Sequence, residues 1–482
     1  MRKLLFLLIS GLFVLVNAVT LIAQETYEEW LKKDQAQFNK FLSEDDKAFM
    51  DFLKKDWEAF LTSQGIKPDT KPKPVKVPQA KPEDKPKPTP QEELRKIEPQ
   101  PLPPQEPLPP PPKPVIPRPK QNLMVQFYGR VVPFTKIQKV EFQLKTPIQS
   151  EQITKAWEQL AISKAVDYVT QLKAYRKQMK LNDWGYVVLT HGLSQKVFPA
   201  SESKQNLFSW FLLLKSGYKA KVAYKNNTVF LLLPNENLIY ENQYVTLDKR
   251  KYYFVAFGRP VDLSGAVYSY QGTYPQAKIV PNMKMTAIPV IKNEIGEKEL
   301  RFTFQGKVYN FTVQFDKDII DLFRNYPQTE LKVYFDAPVS PPASYSLLTA
   351  LASAVKGKSE LDAVNFLLRF VQTAFQYKTD DQQFGREKYL MPEETLYYPA
   401  SDCEDRSILF AYLVKNLLGL KIIALDYPGH IATAVKFNSA INGDAVEYNG
   451  QRYVICDPTY INADAGMCMP EFKNVNPDVI RL

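Results

Sequence analysis

The chain has 482 residues, 45% of them hydrophobic, and a formal net charge of +10. That length holds two or three ordinary domains, and the apolar fraction is that of globular material. The charge does not point to nucleic acid: residues 65–120 hold 12 Lys and Arg against 7 Asp and Glu, half of the whole excess, and no compact run of Arg and Lys interleaves with aromatics.

Arg2 and Lys3 precede an apolar run from Leu4 to Val16. Val16-Asn17-Ala18 fits a small-residue cleavage site, and Leu21-Ile22-Ala23 is a second. Residues 1–23 therefore read as the signal peptide of an exported protein, periplasmic or extracellular. The alternative is a retained membrane anchor, because weakly apolar residues continue to Ala23, near the ~20 needed to span a bilayer. No Cys follows the run to carry a lipoprotein anchor.

Residues 24–64 read as an amphipathic helix with an 11-residue repeat. Tyr27, Trp30 and Leu31 are echoed by Phe38, Phe41 and Leu42, then by Phe49, Phe52 and Leu53, and then by Phe60. Eleven residues over three turns keep this stripe nearly straight. The stripe needs a partner: a second copy, the globular part, or a membrane surface. Self-association or packing is favoured over membrane contact through residues 25–64, because the polar face mixes both charge signs. Gly65 suits the helix end.

Residues 65–120 contain 20 of the 38 prolines. They read as a Pro/Lys-rich linker, extended and coreless, serving as a spacer or as disordered chain.

Residues 121–482 read as α+β. Strand-like runs occur at Met124–Val132 and Lys139–Leu144, and helical spacing runs from Ser150 to Met179. A β-rich linking region covers 258–343, with a hairpin between Leu300–Phe304 and Val308–Phe315 turning at Gln305-Gly306. Helical spacing returns from Ser344 to Phe375.

An internal repeat spans about 90 residues. Ala165-Val166-Asp167-Tyr168 resembles Ala363-Val364-Asn365-Phe366. Phe198-Pro199-Ala200-Ser201 resembles Tyr398-Pro399-Ala400-Ser401. Leu207-Phe208 with Gly217 matches Leu409-Phe410 with Gly419, and Tyr253-Phe254-Val255 matches Tyr453-Val454-Ile455.

The second copy carries the chemistry. Ser401 or Asp402 can cap a helix whose apolar positions are Ile408, Leu409, Tyr412, Leu413 and Leu417, ending at Gly419. Cys403 then sits in the first turn, where unsatisfied N–H groups favour a thiolate and can hold an oxyanion. Glu404 and Asp405 oppose the thiolate, so a cationic partner matters. His430 opens a β-like run to Phe437 after the turn Tyr427-Pro428-Gly429, and Asp457 follows the strand Arg452–Cys456. In such a site His430 takes the Cys403 proton and Asp457 orients the imidazole. Cys456 and Cys468 could bridge on spacing alone.

Met391-Pro392-Glu393-Glu394-Thr395-Leu396, Asp402-Cys403-Glu404-Asp405, Leu418-Gly419, Gly429-His430 and Cys456-Asp457-Pro458-Thr459 together resemble the bacterial transglutaminase-like superfamily over residues 344–465. The resemblance implies a papain-like catalytic domain at 344–482 performing thiol acyl transfer on amides. Cys403 matches the nucleophile, His430 the base and Asp457 the orienting acid. Ser401 departs from the glycine that commonly precedes the Asp-Cys pair. Gln383, Tyr389 and Tyr398 are the candidates for a second oxyanion donor. Residues 121–257 then read as a degenerate copy with preceding strands, in which Ser203, Thr228 and Phe257 replace the triad and His191 is structural.

The expected function is cysteine peptidase or amidase action on polypeptide, such as a cell-envelope peptide. The alternatives are a non-catalytic envelope tether or scaffold, and an amide cross-linking transglutaminase. No cofactor is expected: two histidines and scattered carboxylates lack metal-ligand spacing, and no phosphate- or dinucleotide-binding loop occurs.

Overall fold

Helices and strands build a mixed α+β protein, with outer strands such as Ile295–Phe304 alternating in burial and the central strand His430–Lys436 and helix Cys403–Leu413 buried almost throughout. The computed structural model describes residues 44–55, 57–65, 77–90, 93–103, 122–257, 263 and 265–482. Residues 1–43, which hold the expected signal peptide and most of the aromatic stripe, lie outside them. Among the described residues no helix is long and apolar enough to cross a membrane.

Helix α1 (44–53) precedes strand β1 (Glu58–Leu61). The hairpin β2–β3 (Asn122–Phe127, Arg130–Thr135) leads to helices α2 (Ser150–Ile162), α3 (Asp167–Gln178), α4 (Asp183–Val197) and α5 (Glu202–Lys215). Strands β4 (Lys221–Lys225), β5 (Thr228–Pro234), β6 (Tyr244–Leu247), β7 (Arg250–Phe254) and β8 (Ala266–Ser269) follow. A long hairpin β9–β10 (Ile295–Phe304, Lys307–Asp316) and helices α6 (Lys317–Arg324) and α7 (Leu331–Phe335) lead into α8 (Pro341–Val355) and α9 (Glu360–Thr373). Then come β11 (Gln376–Tyr377), α10 (Asp380–Phe384), α11 (Pro392–Tyr397), β12 (Ala400–Ser401) and α12 (Cys403–Leu413). The chain ends in β13 (Lys421–Tyr427), β14 (His430–Lys436), β15 (Ala445–Tyr448), β16 (Gln451–Cys456) and β17 (Asp478–Arg481).

The expected strand Met124–Val132 is a hairpin, because Tyr128 and Gly129 both take positive φ and reverse the chain. Lys139–Leu144 forms no strand. The helical stretch from 150 breaks at Ser163, whose Oγ accepts the Ala165 N–H and starts a new turn. The Gln305-Gly306 turn closes β9–β10 with φ of 50° and 76°.

Two sheets share one strand order. The first runs β6-β7-β5-β4-β8-β1 and the second β15-β16-β14-β13-β17. Neighbours are antiparallel throughout. Placing β4 on β13 therefore places β5 on β14, β6 on β15, β7 on β16 and β8 on β17. The helix before each sheet packs on its middle strand, α5 on β5 and α12 on β14. Each anchors there through a polar side chain: Asn206 Nδ2 donates to Val229 O at 2.9 Å, and Ser407 Oγ to Ile431 O at 3.1 Å.

Two N-terminal expectations need correction. The helix of residues 24–64 does not continue to 64: it ends at 53, and Glu58–Leu61 joins the first sheet beside β8. With β8 also in that sheet, the first sheet draws strands from both sides of the expected 121–257 segment. The described part of the stripe packs on the protein itself. Phe49 and Leu53 are buried, with Phe49 against Trp157 (4.8 Å), Tyr274 (5.3 Å), Trp210 (6.0 Å) and Tyr270 (6.1 Å). Asp46 of α1 pairs with the buried Lys215 of α5, so these groups bury each other's charge. Gly65 caps no helix. It passes the backbone of Asn242 so closely that a Cβ would collide.

The second correction concerns the linker. Its described residues, 77–90 and 93–103, lie on the C-terminal half as a strap, extended apart from a 3-10 turn at Pro82–Asp84. Ile97 is buried, its N–H donates to Lys358 O (2.8 Å), and its C=O accepts from Gly357 (3.0 Å). Gln100 N–H donates to Leu417 O at 2.9 Å. Prolines offer no N–H, so the strap's backbone donors are the residues between them.

Candidate functional site

Helix α12 begins where the short extended strand β12 ends. Asp402 is its N-cap, with extended backbone, and its N–H donates to the Asp405 carboxylate at 3.2 Å. Cys403 is thus the first helical residue, at the positive end of the helix. Ser407 lies one turn further on the same face and bonds to Ile431, the neighbour of His430. That contact directs the Cys403 end of α12 toward the start of β14.

His430 opens β14 after a turn in which Gly429 has φ of 74°. β16 runs antiparallel to β14 with Thr433 opposite Cys456, so the residue after Cys456 returns toward His430. The imidazole Nε2 and Asp457 Oδ2 are 2.8 Å apart. This bond uses Nε2 and leaves Nδ1 as the ring's other proton-exchanging nitrogen. The other Asp457 oxygen accepts the N–H groups of Thr459 (2.9 Å) and Tyr460 (3.2 Å). Gln372, buried on α9, donates its amide to the carbonyls of Asp457, Tyr460 and Ala463 at 3.1, 2.9 and 3.1 Å, which fixes the loop carrying the acid.

Burial pushes the His430 pKa down, but the Asp457 carboxylate, helped by Glu404 and Glu471, outweighs it. The net result is a pKa above the ordinary histidine value, so the imidazole holds an added proton more tightly than a free histidine does. The site is closed: Cys403 is 1%, His430 5% and Asp457 2% exposed. Phe472 covers the imidazole, its ring nearly parallel (8°) at 5.0 Å, and Tyr427 packs on Phe472 at 4.8 Å.

The Cys403 thiol donates to Glu404 Oε2 at 2.9 Å. The cationic neighbour is Arg406, fully buried one turn into α12. Its guanidinium donates to Ser401 Oγ (3.2 Å), Gln372 O (3.1 Å) and Phe375 O (2.9 Å). Burial lowers its pKa to about 10, so it stays charged at neutral pH beside Asp402, Asp405 and Cys403. Asp380, Asp402 and Asp405 each bring an oxygen within 4.8 Å of the others, the one carboxylate group among the described residues close enough to hold a cation. The N–H groups of Lys388 (2.8 Å) and Leu390 (2.9 Å) donate into it, and Arg406 supplies a counter-charge.

The glutamates of the 391–396 motif serve structure. Glu393 accepts from Asp316 N (2.8 Å), Ser340 N (2.8 Å) and Ser340 Oγ (2.7 Å), joining the end of β10 to the start of α8. Glu394 pairs with the buried Lys388 at 2.6 Å. Of the three oxyanion candidates, Gln383 is tied to the strand leading into α12, its amide 3.3 Å from Ala400 O. Tyr389 packs on Tyr334 and Tyr240, and Tyr398 on Phe384 and Tyr397. No disulfide joins Cys456 to Cys468: both are buried thiols, and burial pushes the Cys468 pKa up to about 11.

In the first copy, Ser203 Oγ accepts the Val229 N–H at 3.1 Å, Thr228 opens β5, and Phe257 stacks on His191 at 3.7 Å. His191 is buried, which lowers its pKa to about 4, and its Nδ1 lies 3.3 Å from Ser209 Oγ. That copy therefore holds its histidine neutral and without a thiol partner.

Sequence reasoning missed Glu404 as the thiol's acceptor, Arg406 as the counter-charge, and Phe472 as the cover. Arg406 was within reach, since helical spacing sets it one turn from Cys403. Phe472 had no signal, because only the fold brings it to His430. Compared with known families, curated proteins and solved structures, the chain matches none.

Proposed function

We propose that the protein is an exported cysteine peptidase or amidase of the transglutaminase-like type, cleaving polypeptide amide bonds through Cys403, His430 and Asp457. The observation that carries this reading is the buried 2.8 Å His430–Asp457 bond on the strand crossed by the helix that begins with Cys403. A helix bearing the thiol against a sheet bearing imidazole and carboxylate supports a papain-like reading, and the shared strand order supports a degenerate first copy. Export rests on residues 1–23.

The chemistry follows from the groups present. The Cys403 proton passes to His430 Nδ1, and the thiolate attacks the amide carbon. N–H groups of the first turn of α12 receive the oxyanion. The imidazolium then protonates the leaving amine, and a thioester remains on Cys403. His430 takes a proton from water, the hydroxide attacks the thioester, and the acid leaves as the thiolate is restored. Asp457 holds the ring and its charge throughout.

Incubation with unfolded polypeptide or cell-envelope peptide should release new amines. Cys403→Ala should lower that release by about a thousand-fold or more. Equal release from Cys403→Ala would remove the reading, and peptide binding without any release would leave a scaffold.

A further inference from the structure

Two parts of the strap reach the candidate site. Gln79 pairs in parallel with Ile461, with Ala80 N–H donating to Ile461 O (2.8 Å) and Ile461 N–H to Pro78 O (3.1 Å). Ile461 is four residues past Asp457, on the loop that Gln372 holds. Lys85 then pairs with Asp464 at 2.6 Å on the same loop.

Apolar packing links the strap to the cover. Tyr460, Ala463, Met467 and Met469 form a small buried cluster. Ala80 rests against it from the strap, and Phe472 rests against it from the turn Pro470–Phe472. Phe472 is the ring that lies face to face on His430. One cluster therefore seats both the strap and the cover, and the strap's backbone bonds hold its near edge. Backbone pairing of this kind is also how an extended polypeptide is captured. The strap holds the Ile461 loop through one parallel backbone bridge, the kind of bond that a competing extended polypeptide makes.

We propose that residues 78–85 are an autoinhibitory strap: seated on the loop after Asp457, they keep the turn Pro470–Phe472 closed over His430, and an incoming extended polypeptide opens the site by displacing them from Ile461. This rests on the proposed chemistry at Cys403. Ala80 is the wedge, since a charged side chain there cannot sit on the apolar cluster. Lys85 is the outer tether, half-exposed, so its reversal disturbs no core.

The test is Cys403 alkylation by iodoacetamide in the full chain, read by mass spectrometry as a rate and as a pH midpoint. The rate reports access and the midpoint reports thiolate formation. Ala80→Glu should raise the rate about ten-fold and Lys85→Glu about three-fold, as expected for displacing a closed population, with the midpoint unchanged. Phe472→Ala should be at least as fast, and adding Ala80→Glu to it should gain nothing more. Cys456 and Cys468, buried in the same half, should stay unmodified; should Ala80→Glu expose them by unfolding, Lys85→Glu decides. Rates within two-fold of the parent in the folded strap variants, with Phe472→Ala fast, would overturn the strap and leave the cover. A midpoint insensitive to His430→Ala would instead overturn the chemistry beneath it.

Discussion

At the scale of single residues, Cys403, His430 and Asp457 could be chosen from sequence because each stands at an element boundary that leaves a mark. A capping residue precedes the cysteine, a Pro-Gly turn precedes the histidine, and Asp-Pro follows a strand. The charges around the thiol were less legible. Glu404 and Asp405 read as equal opponents of a thiolate, yet they do different work. Asp405 accepts backbone N–H groups from Leu390 and Asp402, whereas Glu404 takes the thiol's own hydrogen. Linear order cannot separate two adjacent carboxylates that leave a helix about 100° apart and meet different partners. A carboxylate beside a thiolate disfavours it, so Glu404→Gln should lower the Cys403 alkylation midpoint by on the order of one pH unit. A midpoint that rises would show that Glu404 helps ionise the thiol.

At the scale of elements, regular periodicity was readable and its absence was not. Apolar spacing placed α12 and the Gln305-Gly306 turn placed the long hairpin, while the single helical stretch read from Ser344 to Phe375 is two helices, α8 and α9, parted where Gly357 takes φ of 73°. The proline-rich strap has no period, and its docking depends on a few N–H groups such as those of Ala80 and Ile97 meeting acceptors far away in sequence. The junction of β10, α8 and α11 was equally hidden, although its key residue lies in a recognisable motif. Burial pushes the Glu393 carboxyl up to about 7 against the three donors that bind it, and burial raises Asp316 to about 6. An acid raised in the folded state contributes stability that is full below its unfolded value and lost as pH rises through its folded one. The raised His430 has the same sign. Thermal stability should therefore fall between about pH 5 and pH 8, and Glu393→Gln, which cannot ionise, should flatten that fall. Thermal denaturation across the range measures it, and an unchanged slope in the variant would remove Glu393 from the account.

At the scale of the whole molecule, two sheets share one strand order, and the thiol, imidazole and carboxylate of the proposed site all belong to the second half. The sequence repeat suggested this through short matches such as Pro-Ala-Ser. It could not show that β1, from before the proline-rich stretch, completes the first sheet, or that α1 packs against α2 and α5. Those contacts span some 100 to 230 residues, and nothing local encodes them. They make the N-terminal segment part of the fold: Phe49 fills a pocket of four aromatic rings, and Asp46 neutralises Lys215. Phe49→Ala should destabilise the protein by about 3–5 kcal/mol, read from denaturant unfolding. A loss below about 1 kcal/mol would mean that α1 is not seated there in solution.

The central claim is that Cys403 and His430 form a working pair oriented by Asp457, and its most direct test is the pH midpoint of Cys403 alkylation in the parent protein and in His430→Ala. The account predicts a midpoint below about pH 7 in the parent, shifting to the ordinary cysteine value of about 8.5 or higher when the imidazole is removed. A midpoint near 8.5 in both proteins would contradict it.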